Sequence, residues 1–340
     1  MPRHREVRLV RRPVGRLSVD DLVVADAEIP PLRDGEVLVR NTWLSVDAAV
    51  RLRLDASGPE GYLPPVELGR PLEGLAIGAV VESRAPGFEA GQLVEHARGY
   101  REFAVVTPGG GALGGVGSLR AIDERSAPPD VQLGLLGGTG LTAWAGLTRV
   151  AALAPGDVVW ISAAAGAVGS VAAQLARERG NRVIGSAGTP AKVAYLRESL
   201  GLDAAFDYHD GLREGLAEAA PEGIDVYFDN VGGSHLEAAL AALRPYGRVA
   251  LCGAVAGYDG APAPGPGNLF LATAKNLTLR GFRAGAFAAQ AEQARDELGE
   301  LWRTGRLRLE QVVHEGLESA PAALIGLLNG QNVGKVLVRL

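Results

Sequence analysis

An apolar run, Val158-Val159-Trp160-Ile161-Ser162, leads directly into Ala163-Ala164-Ala165-Gly166-Ala167-Val168-Gly169. A helical pattern follows, with Val168, Val171, Ala172, Leu175 and Ala176 on one face at 3.6-residue spacing. Strand, tight turn and helix in that order present free backbone N–H groups and the positive end of a helix dipole, which together attract an anion. Gly166 lets the backbone approach a pyrophosphate, Ala167 and Val168 begin the helix, and Gly169 lets that helix pack close to the strand. The usual first glycine is alanine here. The spacing alone is therefore a weak signal, and the strand–turn–helix context carries the reading of a dinucleotide site. The plainer alternative is a tight turn with no ligand.

The next strand selects the dinucleotide. Chains that take NAD place Asp or Glu about 20 residues on, to accept from the ribose hydroxyls. Here that strand ends Gly185-Ser186-Ala187-Gly188-Thr189 with no carboxylate, and Lys192 stands one helical turn beyond. A carboxylate would repel a 2′-phosphate, whereas a hydroxyl and an ammonium would bind it, so the reading is NADP. Lys192 as an ordinary exposed helix lysine is the plainer reading.

The residue types also bear on how a substrate is polarised. Cys252 is the single cysteine, which excludes an intramolecular disulfide and a four-cysteine zinc lobe. His4 and His96 lie in the first part of the chain, and His209, His235 and His314 are scattered. Without a Lewis acid, an isolated carbonyl is hard to reduce. A conjugated double bond needs less help, because hydride at the β-carbon sends charge into an enolate that hydrogen bonds stabilise. The α-carbon then takes a proton from a tyrosine or from water. No G-x-S-x-G elbow is present for a serine nucleophile.

These residues must be positioned by an ordered framework. The chain has 340 residues, enough for two domains. Glu6–Val10, Glu36–Asn41, Ile77–Ser83 and Glu102–Val106 read as short strands separated by Gly and Pro. Pro108–Ser118, with six glycines, reads as a flexible surface loop. The texture changes near residue 130. Asp157–Ser162, Arg182–Ser186, Ala204–Tyr208, Ile224–Asp229, Arg248–Cys252 and Leu277–Phe282 read as six buried strands. Helical patterns at Ala191–Leu200, Leu212–Ala219 and His235–Leu243 lie between them. Repeated βα units imply a parallel sheet of the doubly wound, dinucleotide-binding kind. Phe287–Arg303 reads as a long helix, Ala320–Leu328 as a further one, and Lys335–Leu340 as a strand in a tail that returns to the first domain. The expected division is 1–128, 129–300 and 301–340, with the last segment completing the first domain.

Hydrophobic residues at 47% and charged residues at 21% are an ordinary globular balance. A net charge of −5 argues against nucleic acid as a partner, the basic stretch Arg3 to Arg12 reading as a solvated strand. No signal peptide or membrane span is legible, so the cytoplasm is the expected compartment.

Several motifs carry a family resemblance over nearly the whole chain. They are Leu44-Ser45-Val46-Asp47 with Arg51, Gly69-Arg70-Pro71-Leu72-Glu73-Gly74, Gly140-Leu141-Thr142-Ala143-Trp144, and Ala163–Gly169. Tyr227-Phe228-Asp229-Asn230-Val231-Gly232-Gly233, Cys252-Gly253-Ala254 with Tyr258, and Gly330-Gln331-Asn332-Val333-Gly334-Lys335 complete the set. The chain resembles the zinc-free medium-chain dehydrogenases/reductases, in the group of prostaglandin reductases, leukotriene B4 12-hydroxydehydrogenases and alkenal double-bond reductases. That resemblance implies a Rossmann fold (a doubly wound parallel six-stranded sheet) plus a discontinuous GroES-like β-barrel domain, with the active cleft between them. It implies NADPH, an α,β-unsaturated carbonyl substrate and a homodimer built through the Rossmann sheets. Residue by residue, it implies the pyrophosphate loop at Gly166, Ala167, Val168 and Gly169, and 2′-phosphate and ribose contacts from Lys192 and Tyr208. Asn230 meets the cofactor after the fourth strand. Cys252, Gly253 and Ala254 line the nicotinamide side through their backbone, and Phe282, Arg283 and Ala284 follow the sixth strand. Asn332 reaches the cofactor from the returning tail. Tyr258 anchors the nicotinamide ribose or donates the proton. Packing and turn roles are the plainer readings of Tyr208, Asn230, Tyr258 and Asn332.

The chain departs from the family where substrate contacts belong. Asp47-Ala48-Ala49-Val50-Arg51 lacks the usual aromatic, Tyr258 is followed by Asp259, and the Pro/Gly-rich Gly260–Gly267 comes next. A wider pocket follows from these changes, suited to a bulky cyclic enone or a polyketide-like compound. The alternatives within enzymes are a quinone reductase or an allylic alcohol dehydrogenase of the same superfamily. The alternative outside them is an NADPH-binding sensor.

Overall fold

The change of texture near residue 130 corresponds to two sheets built by different rules. The computed structural model describes residues 3–110, 113, 116–260 and 264–340. The glycine-rich Pro108–Ser118 and Gly260–Gly267 therefore lie partly outside the described residues.

The first compact unit comprises Met1–Gly138, Ala284–Ala288 and Gln311–Leu340. Its main sheet runs in the spatial order Gln311–Glu315, Lys335–Arg339, Val37–Val46, Ala76–Ser83, Leu93–His96, Arg120–Ala121, with Phe103–Val106 also paired to Val37–Val46. Pairing is antiparallel except where Gln311–Glu315 meets Lys335–Arg339. The last strand is seated at the end of Val37–Val46, with Val336 opposite Val46 and Leu337 opposite Ser45. Alternation along these strands buries Val37, Val39, Val80, Val94 and Ala104 in one cluster. A second cluster joins Leu44, Val46, Leu72 and Tyr100 to Leu324, Val336 and Val338. Arg3–Leu9 and Leu22–Glu28 form a separate antiparallel ribbon.

The second unit comprises Thr139–Arg283 and Ala289–Glu310. Its six strands are all parallel, in the order Ala204–Asp207, Arg182–Ala187, Val158–Ile161, Ile224–Asp229, Leu243–Leu251, Thr278–Gly281. This is the doubly wound Rossmann sheet. The chain runs outward from Val158–Ile161, then returns to place Ile224–Asp229 on its other side. The loops after those two strands therefore part, and a crevice for ligands opens at their carboxyl ends. Trp160, Ile184, Ile224, Tyr227 and Val249 fill the core beneath it.

Some elements differ from the expectation. The helix expected at Phe287–Arg303 starts only at Ala291 and runs to Arg303, with Glu292 suitably placed in its first turn. Ala284–Gln290 is instead a tighter turn in which Phe287 has φ −114 and ψ 20 and a buried side chain. Gly285 disfavours a helix there, and burial of Phe287 sets the backbone. The run expected at Ala191–Leu200 splits into an α-turn, Pro190–Ala194, and a wider π-turn, Tyr195–Ser199. Leu22–Glu28, Leu93–His96 and Gln311–Glu315 are strands that the pattern did not mark. No helix among the described residues is long and apolar enough to cross a membrane.

Candidate functional site

Val158–Ile161 ends in Ser162, and the backbone turns sharply at Ala163, whose φ is +47. The Ala163 carbonyl accepts the Gly166 N–H at 2.9 Å, and Gly166 is the N-cap of helix Ala167–Glu178. No side chain caps that helix, so its first N–H groups are left to an outside acceptor. A Cβ on Gly169 would stand 2.4 Å from the Ala163 carbonyl oxygen and 2.8 Å from Ala164 Cα. Only glycine lets the helix sit this close to the turn. A Cβ on Gly166 would meet only that same carbonyl, at 3.2 Å, so the space above Gly166 is open. The two glycines thus do different work: Gly169 closes the packing, and Gly166 leaves room for an anion.

Across the switch point, Ser162 and Asn230 tie the two diverging strands together. Asn230 donates its side-chain N–H to the Ser162 carbonyl at 2.7 Å and its backbone N–H to Ser162 Oγ at 3.0 Å. Beneath them Asp229, 1% exposed, accepts from the Tyr227 hydroxyl at 2.8 Å and from the N–H groups of Val231 and Gly232 at 3.0 and 2.8 Å. Burial raises the Asp229 carboxyl, and these donors oppose the rise. The Asp229 carbonyl also accepts from Cys252 and Gly253, which joins the next strand's exit to the same hub. Gly232 and Gly233 have φ +72 and +52, the left-handed turn that starts helix Gly233–Ala242. Asp229, Tyr227 and Ser162 were not singled out from the sequence as site residues. Their signal was an acidic residue ending a buried apolar strand, a place where a carboxylate must find donors.

At the far end of Arg182–Ala187, Thr189 Oγ1 accepts the Lys192 N–H at 3.3 Å and caps Pro190–Ala194. Lys192 is half-buried, and burial lowers its ammonium. Tyr208 leans over the same strand end. A Cβ on Gly188 would come within 2.8 Å of its hydroxyl. Its ring meets His235 edge-on at 4.9 Å, and His235 stacks on Trp160 at 6.0 Å. A capping hydroxyl and a phenol therefore stand at this strand end with Lys192 one turn beyond, while the neighbouring strand sets Asp207 opposite Ala187.

On the other side, Tyr258 folds back over its own loop. Its hydroxyl accepts the Ala254 N–H at 3.3 Å, and a Cβ on Gly253 would lie 3.1 Å from that oxygen. The phenol thus stands at the carboxyl edge of the sheet beside the Asn230 turn. Burial and then the nearby Asp229 charge push the Cys252 thiol up to about 12, which leaves it an inert small side chain. Phe282 packs edge-on against Phe228 at 6.3 Å, and Arg283 is exposed. Ala284 and Asn332 belong to the first unit. Asn332 Nδ2 is buried and has no hydrogen-bond partner. The open N-cap and the glycine cradle of the second unit fit the pyrophosphate of a dinucleotide. Gly166–Gly169 would hold its pyrophosphate, Lys192 and Tyr208 its 2′-phosphate, and Asn230 and Tyr258 its ribose and nicotinamide. Among the described residues no group of three or more His, Cys, Asp or Glu side chains is placed to hold a metal ion.

Two family models match the chain. A family described as the N-terminal domain of oxidoreductase matches residues 5–112, and one described as zinc-binding dehydrogenase matches residues 167–300. The chain is 35% identical to the NADP(+)-dependent 2-alkenal reductase of Nicotiana tabacum over 313 residues, covering 91% of this chain and 88% of the relative. It is 35% identical to prostaglandin reductase 1 of Bos taurus over 339 residues, with 96% of each covered. Among solved structures, CurA of Vibrio vulnificus in complex with NADPH superimposes with a TM-score of 0.90 at 29% identity, covering 98% of both chains.

Proposed function

Since the chain belongs to the medium-chain dehydrogenase/reductase family, in the group of prostaglandin and alkenal reductases, we propose that it uses NADPH to reduce the C=C double bond of α,β-unsaturated ketones and aldehydes, without zinc. As an NADP-dependent oxidoreductase it draws its reducing power from the dinucleotide, which supplies a hydride when bound. The observation that carries the finer reading is the placement of Tyr258. A phenolic hydroxyl stands at the carboxyl edge of the sheet, beside the Asn230 turn. Such a group serves a conjugated substrate, in which negative charge develops on an oxygen remote from the carbon attacked.

The chain's own residues then bind, orient and protonate. The loop Gly166–Gly169 donates backbone N–H groups to the pyrophosphate, and Lys192 and Tyr208 select the 2′-phosphate. Asn230, the backbone of Cys252–Ala254, and Phe282–Ala284 shape the nicotinamide side, and Asn332 adds an amide donor. Tyr258 anchors the nicotinamide ribose, with proton delivery to the α-carbon as its second role. Donors aimed at the enolate oxygen stabilise the charge as it forms. The shortened side chains at Ala48 and Ala49 favour a bulky enone.

The protein is further proposed to be cytoplasmic and a homodimer joined along Thr278–Gly281. That strand is an open sheet edge, and Phe270, Tyr246 and Leu269 beside it are 77%, 74% and 54% exposed. The test is NADPH consumption with a 2-alkenal, a cyclic enone and a benzoquinone, with products identified. Saturated carbonyl from the first two supports the proposal. Reduced quinone alone, or allylic alcohol as product, overturns it.

A further inference from the structure

Residues of three motifs that have no task so far converge in the first unit. Ser45 and Asp47 come from the first, Gly74 from the second and Lys335 from the third. Lys335 is 1% exposed, and its ammonium uses all three hydrogens: to the Val46 carbonyl at 2.8 Å, Asp47 Oδ1 at 3.0 Å and the Val336 carbonyl at 3.1 Å. The other Asp47 oxygen accepts from Ser45 Oγ at 2.5 Å. Asp47 is the N-cap of Ala48–Arg53, yet its side chain makes no cap bond there. An aspartate at this position ordinarily caps the helix; here the carboxylate is turned to Lys335. Gly74 admits the arrangement, since its Cβ would stand 2.9 Å from the Tyr100 ring and 3.3 Å from the Ser45 carbonyl.

The ammonium sits where two segments begin or end. One is Ala48–Arg53, which follows Asp47. The other is the turn 330–334, which carries Asn332. That turn is fastened at its start by the N–H groups of Gly330 and Gln331 to the carbonyls of Leu327 and Gly326, at 3.0 Å each. Lys335 fastens its end. We infer that Lys335 is a positioning residue: its buried ammonium, paired with Asp47, sets the turn so that the orphaned Asn332 amide is held ready for the cofactor, and at the same time sets the start of Ala48–Arg53. The inference rests on the proposed role of Asn332 toward NADPH.

The test compares Lys335→Met, Asp47→Asn and Val80→Ala with the unaltered full chain. Val80 is buried in a separate cluster of the same unit and serves as a control for general softening. Hydrogen exchange of the segments 46–53 and 329–335 is read without cofactor, and NADPH binding and steady-state kinetics are read separately. The expected result is faster exchange in both segments and an NADPH KM raised at least about tenfold in Lys335→Met, because small misplacements of a contact group are costly. kcat at saturation stays within about threefold. Asp47→Asn shifts the same quantities by less and decides the matter if Lys335→Met does not fold. Wild-type exchange in both segments, or an equal rise of KM in Val80→Ala, overturns the inference. Failure of the unaltered chain to bind NADPH overturns the proposed function instead, while the exchange arm still decides whether Lys335 positions the turn.

Discussion

At the level of single residues, the account separates two glycines of one loop. Gly169→Ala forces a Cβ to 2.4 Å from a backbone oxygen, so it should destabilise the second unit by about 1–3 kcal/mol, as overpacking does, and abolish NADPH binding. Gly166→Ala meets only one atom, at 3.2 Å, so it should fold normally and weaken NADPH binding alone. Thermal unfolding with and without cofactor distinguishes them. Lys192→Ala should lower NADPH affinity by about 1.5–3 kcal/mol, the worth of a charge-assisted bond, and leave NADH binding unchanged. An equal loss for both cofactors, read by titration of each, would place Lys192 elsewhere. The glycine spacing and the absent carboxylate after Ala187 were legible from the sequence because each is a local requirement. The strained Ala163 was not, since nothing in an alanine's neighbours announces a φ of +47.

At the scale of elements, the carboxyl ends of Val158–Ile161 and Ile224–Asp229 are held by Ser162, Asn230 and the buried Asp229. Asn230→Ala removes the 2.7 Å bond to the Ser162 carbonyl and should cost about 1–2 kcal/mol of stability along with weaker NADPH binding. Unchanged binding would make Asn230 a turn residue only. The parallel strands were readable because each is a short apolar run between glycines. The start of the helix at Ala291 was not. Periodicity continues back through Phe287, but that residue is buried with its backbone outside helical geometry, which no local pattern records. The tie between the two strand ends was likewise hidden, because Ser162 meets Tyr227 and Asn230 from 65 and 68 positions away.

For the whole molecule, His96 in the first unit and His235 in the second are buried and held well below the usual imidazole range. Burial, then Arg101 and Arg98, lowers His96 to about 3; burial, then His209, lowers His235 to about 4. His96 is fastened by Asn41 Oδ1 and by the Arg98 N–H at 2.9 and 3.0 Å. In the unfolded chain both protonate near 6.5, so the unfolded state binds more protons between that value and the folded values. Stability is therefore present above about pH 6.5 and is lost as pH falls, by about 2 kcal/mol for each histidine between about pH 7 and about pH 5. Urea unfolding at the two pH values checks this, and His96→Gln should remove the share that His96 contributes. A stability that rises on acidification would contradict it.

The central claim is hydride delivery to an alkene carbon. It is tested most directly with NADPH carrying deuterium at the nicotinamide C4, a cyclic enone, and analysis of the product by NMR. One deuterium is expected at the β-carbon of a saturated ketone, with the α-carbon protonated from solvent. Deuterium on the carbonyl carbon of an allylic alcohol, or none in any product, would contradict it.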